Sequence, residues 1–181
     1  HDLIKPKHLE VDRAVLTDRY GKFSCEPLMR GYGTTIGNAL RRILLGSLRG
    51  AAISAVKFDG VPHEFSTIPD VLEDVTYIIL NLKQIDLKLE DGAEAVKVLV
   101  EKKGPCEVTA ADILHNQVTV LNPDQHICTV GDGGTLLMEL SIDMGRGYVA
   151  AASIAESDLP LNTIPMDANY ARRLGVQRAR Q

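Results

Sequence analysis

Short segments in which apolar and polar residues alternate recur along the chain, and they constrain the fold more than any other feature of the sequence. Alternation with a period of two is typical of strands that bury one face. The connections between the segments are short, which favours antiparallel pairing. The strand candidates are, in chain order, 22–28, 53–58, 85–90, 96–100, 126–130 and 136–142.

Two turn signals predict how neighbouring strands pair. Asp91-Gly92 separates the third candidate from the fourth, and an Asp-Gly pair is a strong signal for a tight hairpin turn. The glycine-rich turn 131–134 separates the fifth candidate from the sixth in the same way. We therefore expect two β-hairpins, one from each pair of adjacent segments.

Two other segments repeat apolar residues at the helical period. The first predicts a helix over about 34–48, with a threonine to cap its start and Gly50 just past its end. The second predicts a helix over about 69–83, because Pro69 suits a first turn and Lys83 suits the negative end of the helix dipole. The apolar arc of the first helix consists of Ile36, Ala39, Leu40, Ile43, Leu44 and Leu48. Together these patterns predict an α+β fold with largely antiparallel sheets.

The composition argues against several classes of protein. Hydrophobic residues make up 45% and charged residues 24% of the 181 residues, as in ordinary globular domains. No run approaches the roughly 18 apolar residues that would span a membrane, so we expect no membrane partner. The net charge is −4, whereas a chain that binds nucleic acid alone usually has a basic surplus. A duplex binder that uses the arginines of 172–180 remains an alternative.

The three cysteines, Cys25, Cys106 and Cys128, are widely spaced and include no CxxC pair. This spacing matches no common zinc pattern. We therefore expect reduced thiols in a cytoplasmic protein, with no metal site and no cofactor.

Residues that could support catalysis do not converge in the sequence. The glycine-rich stretch 31–38 precedes a helix but is neither a dinucleotide fingerprint nor a Walker motif, and a strand-to-helix loop needs the same glycines. The five histidines are scattered, without a metalloprotease or serine-hydrolase motif. A small-molecule enzyme that unites His63, His126 or Asp112 in one pocket remains an alternative, although nothing in the sequence requires one.

The polar face of the first helix carries one residue that breaks its pattern. Leu45 lies opposite the apolar arc, at helical spacing from Arg41 and Arg42. Apolar and arginine side chains together are typical of the centre of a protein interface. A solvated helix face with one leucine on it explains the same pattern. The residues alone leave both interpretations open.

The segment 28–45, LMRGYGTTIGNALRRILL, is very similar to the signature of bacterial RNA polymerase α subunits. The resemblance covers about residues 3–170, and several separate motifs at the right separations make it specific. The further matching segments, in the family's order, are 60–68, 73–75, 80–83, 104–105, 108–113, 122–123, 126–128 and 145–149.

The resemblance implies roles for the first helix. In the family this helix lies at the α–α dimer interface and also presents residues to the large catalytic subunits β and β′. Arg42 and Leu45, with Arg41 beside them, would contact β, and Lys83 matches a lysine that shares this contact. The implied dimer interface consists of Ile36, Leu40, Ile43, Leu44 and Leu48. The chain would then be a non-catalytic assembly subunit that meets DNA only through the assembled enzyme.

The resemblance also implies a domain organisation. The family's fold is a discontinuous dimerisation domain with an inserted, mostly antiparallel, β-rich domain. By that pattern residues 1–50 and 155–181 form the dimerisation domain, and residues 51–154 form the inserted domain, which also touches the large subunits. The sequence departs from the family between 148 and 159, where a charged loop is shorter, and after Tyr170, where further strands and a second long helix normally follow. We therefore expect an incomplete dimerisation domain and no carboxyl-terminal DNA-contacting domain.

Overall fold

The computed structural model describes residues 4, 6–17, 20–90, 92–154 and 159–171. Over these residues the chain divides into two compact units, one up to Ile43 and one from Leu44 onward. No helix in the described ranges is long and apolar enough to cross a membrane.

The first unit contains a two-stranded antiparallel sheet and most of a helix. β1 (His8–Val11) pairs with β2 (Phe23–Glu26). α1 (Tyr32–Gly46) starts after Gly31, whose φ of 89° favours glycine, and its last residues belong to the second unit. None of the described residues of the first unit is buried. This unit therefore lacks a core within the described part of the chain.

The second unit is built mainly from strands. They are β3 (Arg49–Phe58), β4 (Leu87–Leu89), β5 (Ala95–Lys103), β6 (Cys106–Thr109), β7 (Val118–Val120), β8 (His126–Val130), β9 (Thr135–Arg146), β10 (Tyr148–Val149), β11 (Ile164–Pro165) and β12 (Ala168–Asn169). The large sheet has the order β5-β9-β3-β4-β7, and β11 also pairs with β3. Smaller sheets pair β6 with β8 and β10 with β12. Two short 3-10 helices cover Ala110–Asp112 and Ala151–Ser153.

A helix packed with the sheets completes the core of the second unit. α2 (Val75–Leu82) begins after Asp74, whose carboxylate accepts a hydrogen bond from the backbone N–H of Tyr77 at 2.8 Å, a helix cap. The buried residues of α2 are Val75, Ile78, Ile79 and Leu82. They share one core with alternate residues of β5 and β9, namely Val96, Val98, Val100, Leu136, Met138, Leu140 and Ile142.

Backbone hydrogen bonds join the segment before α2 to the end of β8 and the turn that follows it. Asp70 has a φ of 58°, and its carbonyl oxygen accepts a hydrogen bond from the Gly131 N–H at 2.6 Å. The Leu72 N–H donates to the Thr129 carbonyl at 3.0 Å. A Cβ added at Gly134 would lie 2.8 Å from the Asp70 carbonyl oxygen. Glycine is required at 134 because backbone passes this close to it.

Tyr170 joins the ends of β3 and β9. Its ring lies against Gly145 and its carbonyl lies against Gly50, so neither position has room for a side chain. Its hydroxyl donates a hydrogen bond to Asp143 Oδ1 at 2.6 Å. Burial, followed by this contact with a carboxylate, raises the pKa of the Tyr170 phenol.

The prediction of an α+β class with mostly antiparallel sheet is confirmed. The first helix matches its prediction to within two residues at each end. The predicted start of the second helix is wrong, because Asp70 has a positive φ and Asp74 caps the helix one residue before Val75. The predicted domain boundaries stay a prediction.

Both predicted hairpins are wrong. β4 pairs with β3 and β7, and β5 pairs with β9. β8 pairs with β6 rather than with β9. The twelve-residue β9 takes its neighbours from the long strands β3 and β5, which cover most of its length. Alternation fixes which face of a strand is buried, but it does not fix which strand lies beside it.

Candidate functional site

The apolar arc of α1 is largely uncovered. Leu40 is 53% exposed, Ile43 is 51% exposed and Leu48, just past the helix, is 42% exposed. Ile36 and Leu44 are half-buried, and α1 contains no buried residue. Full burial of one such side chain contributes roughly 1.5–3 kcal/mol. An amphipathic helix that leaves this arc in water is chemically suited to a protein partner.

The polar face of α1 presents two cations. Arg41 and Arg42 are exposed, and neither forms an ion pair with another described residue. Leu45, which the helical pattern placed outward, is half-buried. A Cβ added at Gly147 would lie 3.7 Å from the Leu45 carbonyl oxygen, so the turn around Gly147 passes close to the last turn of α1. The three residues occupy one helix face, with the leucine partly covered.

Lys83 follows α2 as its C-cap residue and is held by the protein itself. Its Nζ lies 2.7 Å from Asp167 Oδ2, and the Ala151 N–H donates to Asp167 Oδ1 at 2.9 Å. The hydrogen bond from Lys83, followed by that from Ala151, lowers the pKa of the Asp167 carboxyl. Lys83, Asp167 and Tyr148 line a cleft of about 310 Å³. The structure therefore presents Lys83 as half of an ion pair at the edge of a cleft.

A histidine between two glutamates ties the segment before α2 to the sheet of β6 and β8. His126 Nε2 lies 2.9 Å from Glu73 Oε1, and His126 Nδ1 lies 2.8 Å from Glu107 Oε1. The Thr129 N–H donates to Glu73 Oε2 at 2.7 Å. The bond with Glu73 raises the pKa of His126, burial opposes this, and the bond with Glu107 adds to it. Both ring nitrogens are engaged, so this ring has no nitrogen left to act as a base.

The pKa of Glu73 is lowered, in contrast to that of His126. Burial acts to raise the pKa, but the hydrogen bonds from the Thr129 N–H and from His126 outweigh it, and the net shift is downward.

Glu73 and His126 are 53 residues apart in sequence, and Lys83 and Asp167 are 84 apart. No periodicity or motif connects such distant residues, so neither ion pair could be predicted from the sequence.

The other candidate catalytic residues each have separate partners. His63 Nδ1 lies 3.1 Å from the Ser66 hydroxyl, in a loop. Asp112 forms an ion pair of 2.6 Å with Lys102. Burial raises the pKa of the Cys128 thiol to about 12, which suppresses the nucleophilic thiolate. Within the described ranges no three His, Cys, Asp or Glu side chains converge to hold a metal ion.

Comparison with known proteins places this fold. A family model described as the RNA polymerase Rpb3/RpoA insert domain matches residues 56–171. That match covers most of the second unit, including α2 and the strands of the large sheet apart from residues 49–55 of β3.

Two curated relatives match more of the chain. A DNA-directed RNA polymerase subunit alpha from Desulfosudis oleivorans is 49% identical over 172 residues, which cover 94% of this chain and 50% of that protein. One from Limosilactobacillus reuteri is 54% identical over 157 residues, which cover 85% of this chain and 50% of that protein. The chain spans about half the length of these relatives. It belongs to the family of bacterial DNA-directed RNA polymerase α subunits, and the resemblance seen in the sequence is confirmed.

Proposed function

We propose that this chain is an assembly part of RNA polymerase, which pairs with a second α subunit and holds the β and β′ subunits. The observation that carries the proposal is the uncovered apolar arc of α1, a helix with no buried residue. A helix of this kind gains its stability by packing its apolar face against another surface. An α–α interface supplies that surface.

The dimer face consists of the residues on the apolar arc, namely Ile36, Leu40, Ile43, Leu44 and Leu48. A twofold contact presents the same patch from both subunits, so the leucine and isoleucine side chains of one subunit pack against those of the other. The absence of any buried residue among the described residues of the first unit supports the same assignment. A unit without a core depends on a partner for its stability.

The β-contact face consists of Arg41, Arg42 and Leu45, with Lys83 as a further contact. Arginine is enriched at interface centres because its planar group makes several hydrogen bonds while its stem packs against apolar atoms. Arg41 and Arg42 have no ionic partner among the described residues, so their charges are available to a carboxylate on β. Lys83 would contribute together with Asp167.

The chain has no active site of its own in this proposal. Both nitrogens of His126 are engaged by carboxylates, and the raised pKa of Cys128 keeps its thiol protonated. The net charge of −4 fits a subunit that meets DNA only through the assembled enzyme in the cytoplasm. The duplex-binder alternative rests on residues 172–180, which lie outside the described residues.

Sedimentation of matched leucine variants tests the dimer face. The unaltered chain is expected to sediment as a dimer, and Leu40→Asp is expected to sediment as a monomer because a charge would be buried at the contact. Leu114→Asp makes the same change at a leucine that is 79% exposed in the second unit, and it should leave the dimer intact. A monomeric unaltered chain, or a dimer that persists in Leu40→Asp, would show the proposal to be wrong.

A further inference from the structure

The sheet of β1 and β2 has one apolar face. The pairs Leu9–Cys25 and Val11–Phe23 lie directly opposite each other, so all four side chains project from the same side of the sheet. Leu9 is 60% exposed, Phe23 is 58% exposed and Val11 is 39% exposed, while Cys25 is half-buried. The described part of the chain therefore leaves this face largely in water.

The other face of the same sheet carries polar residues. The pairs His8–Glu26 and Glu10–Ser24 lie on it, and all four residues are exposed. His8 Nε2 lies 2.9 Å from Glu10 Oε1, so these two side chains are paired on the solvent side. The sheet is amphipathic: one side is suited to solvent, and the other is suited to an apolar surface.

A two-stranded sheet with an uncovered apolar face has little stability of its own. Such a sheet is marginal in water until it packs against a helix or gains further strands. The helix of the same unit, α1, leaves its own apolar arc uncovered, because Leu40 and Ile43 are 53% and 51% exposed. The first unit therefore presents two uncovered apolar faces, one on a sheet and one on a helix.

The α1 dimer proposed above needs more surface than α1 alone offers. A stable interface buries about 800 Å² on each partner and involves about 20–30 residues a side. α1 has 15 residues, and its apolar arc occupies one side of the helix. Packed helices usually cross at an angle, so the ends of each arc diverge from the partner helix. A second surface from each subunit is needed to complete the interface.

We propose that the apolar face of β1 and β2 is this second surface, and that it packs against α1 of a second copy of the chain. The inference rests on the α1 dimer proposed above and names the surface that completes it. Twofold symmetry makes the contact reciprocal, because each subunit offers one sheet and one helix to the other. The sheet and helix contacts belong to one dimer, so Leu40→Asp separates both together.

The reactivity of Cys25 tests the proposal without any change to the apolar face of the sheet. In a Cys106→Ser chain a coloured thiol reagent reports on Cys25, because Cys128 is buried and its pKa is raised to about 12. We expect Cys25 to react at least about tenfold more slowly in the dimer than in the monomeric Leu40→Asp chain, since the partner's helix shields it.

Residue 24 provides the matched control, because it is next to Cys25 in sequence but projects from the polar face. Ser24→Cys, in a chain that also carries Cys25→Ser and Cys106→Ser, should react at the same rate in the dimer and in its Leu40→Asp counterpart. Protection of both positions would indicate a general compaction instead of a covered face and would overturn the proposal. Equal reactivity of Cys25 in dimer and monomer would overturn it too.

Substitution on the sheet provides a second measurement. Phe23→Asp places a charge in the proposed contact and should weaken dimerisation at least about tenfold in sedimentation, whereas Ser24→Asp should leave it unchanged. Undiminished dimerisation of Phe23→Asp would overturn this inference and leave the α1 dimer standing. A monomeric unaltered chain would overturn both.

Discussion

At the scale of single residues, His126 makes stability depend on pH. Its pKa is raised in the folded chain, so its contribution is fully present below the unfolded pKa of about 6.5 and is lost as pH rises through the folded pKa. The pKa of Glu73 is lowered, so its contribution is present above about 4.5 and is lost as pH falls through the folded pKa. The two contributions are therefore both present between these limits.

Replacement of His126 is expected to flatten the alkaline side of this profile. The unaltered chain should lose roughly 1 kcal/mol of unfolding free energy between mildly acidic and alkaline pH, after allowance for solvent screening of the partly exposed ring. His126→Gln should show little of this slope, whereas His63→Gln should keep it. Urea unfolding at several pH values provides the measurement, and an unchanged slope in His126→Gln would assign the effect elsewhere.

Arg42 is the residue whose removal should weaken subunit capture most directly. Truncation of an arginine at an interface centre typically costs about 2 kcal/mol, or roughly thirtyfold in affinity. Retention of the β subunit on immobilised chain is the measurement. Arg30→Ala removes an exposed arginine just before α1 and should retain β normally. Equal retention by Arg42→Ala would contradict the assignment of this face to β.

The site was only partly predictable from residue patterns. Helical spacing identified the apolar arc of α1 and the two arginines, because these features repeat within a few residues. Leu45, which helical spacing placed outward, is half-buried, and the turn at Gly147 that passes close to its backbone is far away in sequence. The ion pair between Lys83 and Asp167 could not be predicted, because these two residues are also far apart in sequence.

At the scale of elements, the turn between β8 and β9 should tolerate no side chain at position 134. Alanine there would place its Cβ 2.8 Å from the Asp70 carbonyl oxygen and 2.9 Å from a methyl group of Val130. Overpacking of this kind costs about 1–3 kcal/mol, so Gly134→Ala should lower the thermal midpoint by several degrees. Gly46→Ala meets no atom within 4 Å and should leave the midpoint nearly unchanged. Equal midpoints for the two variants would argue against the close approach.

The locations of the strands were predictable from the sequence, but their pairing partners were not. Strand candidates and both helices could be located from periodicity, since it reports which face is buried. The partners of β4, β5 and β8 could not, because strands far apart in sequence compete with adjacent ones and the longer partner buries more surface. β4 and β5, the strands on either side of Asp91-Gly92, were expected to form a hairpin but lie apart in the sheet order, and Asp91 itself lies outside the described residues.

At the scale of the whole molecule, the two units should differ in stability. The second has a continuous buried core, whereas the first buries none of its described residues. Native-state hydrogen exchange should therefore protect amides of β3 and β9 at least about 100-fold more than those of β1 and β2 in the monomer. The Leu40→Asp chain keeps the comparison free of dimer effects. Equal protection in the two units would contradict the absence of a core among the described residues of the first.

The ultraviolet absorbance of Tyr170 can report on the structure around its hydroxyl. The sequence has no tryptophan and five tyrosines, of which Tyr170 is the one bonded to Asp143 across the ends of β3 and β9. Its raised pKa means that its tyrosinate absorbance emerges only after the hydroxyl has left that carboxylate. Ultraviolet spectroscopy in alkali can therefore follow the parting of these strand ends without any added label.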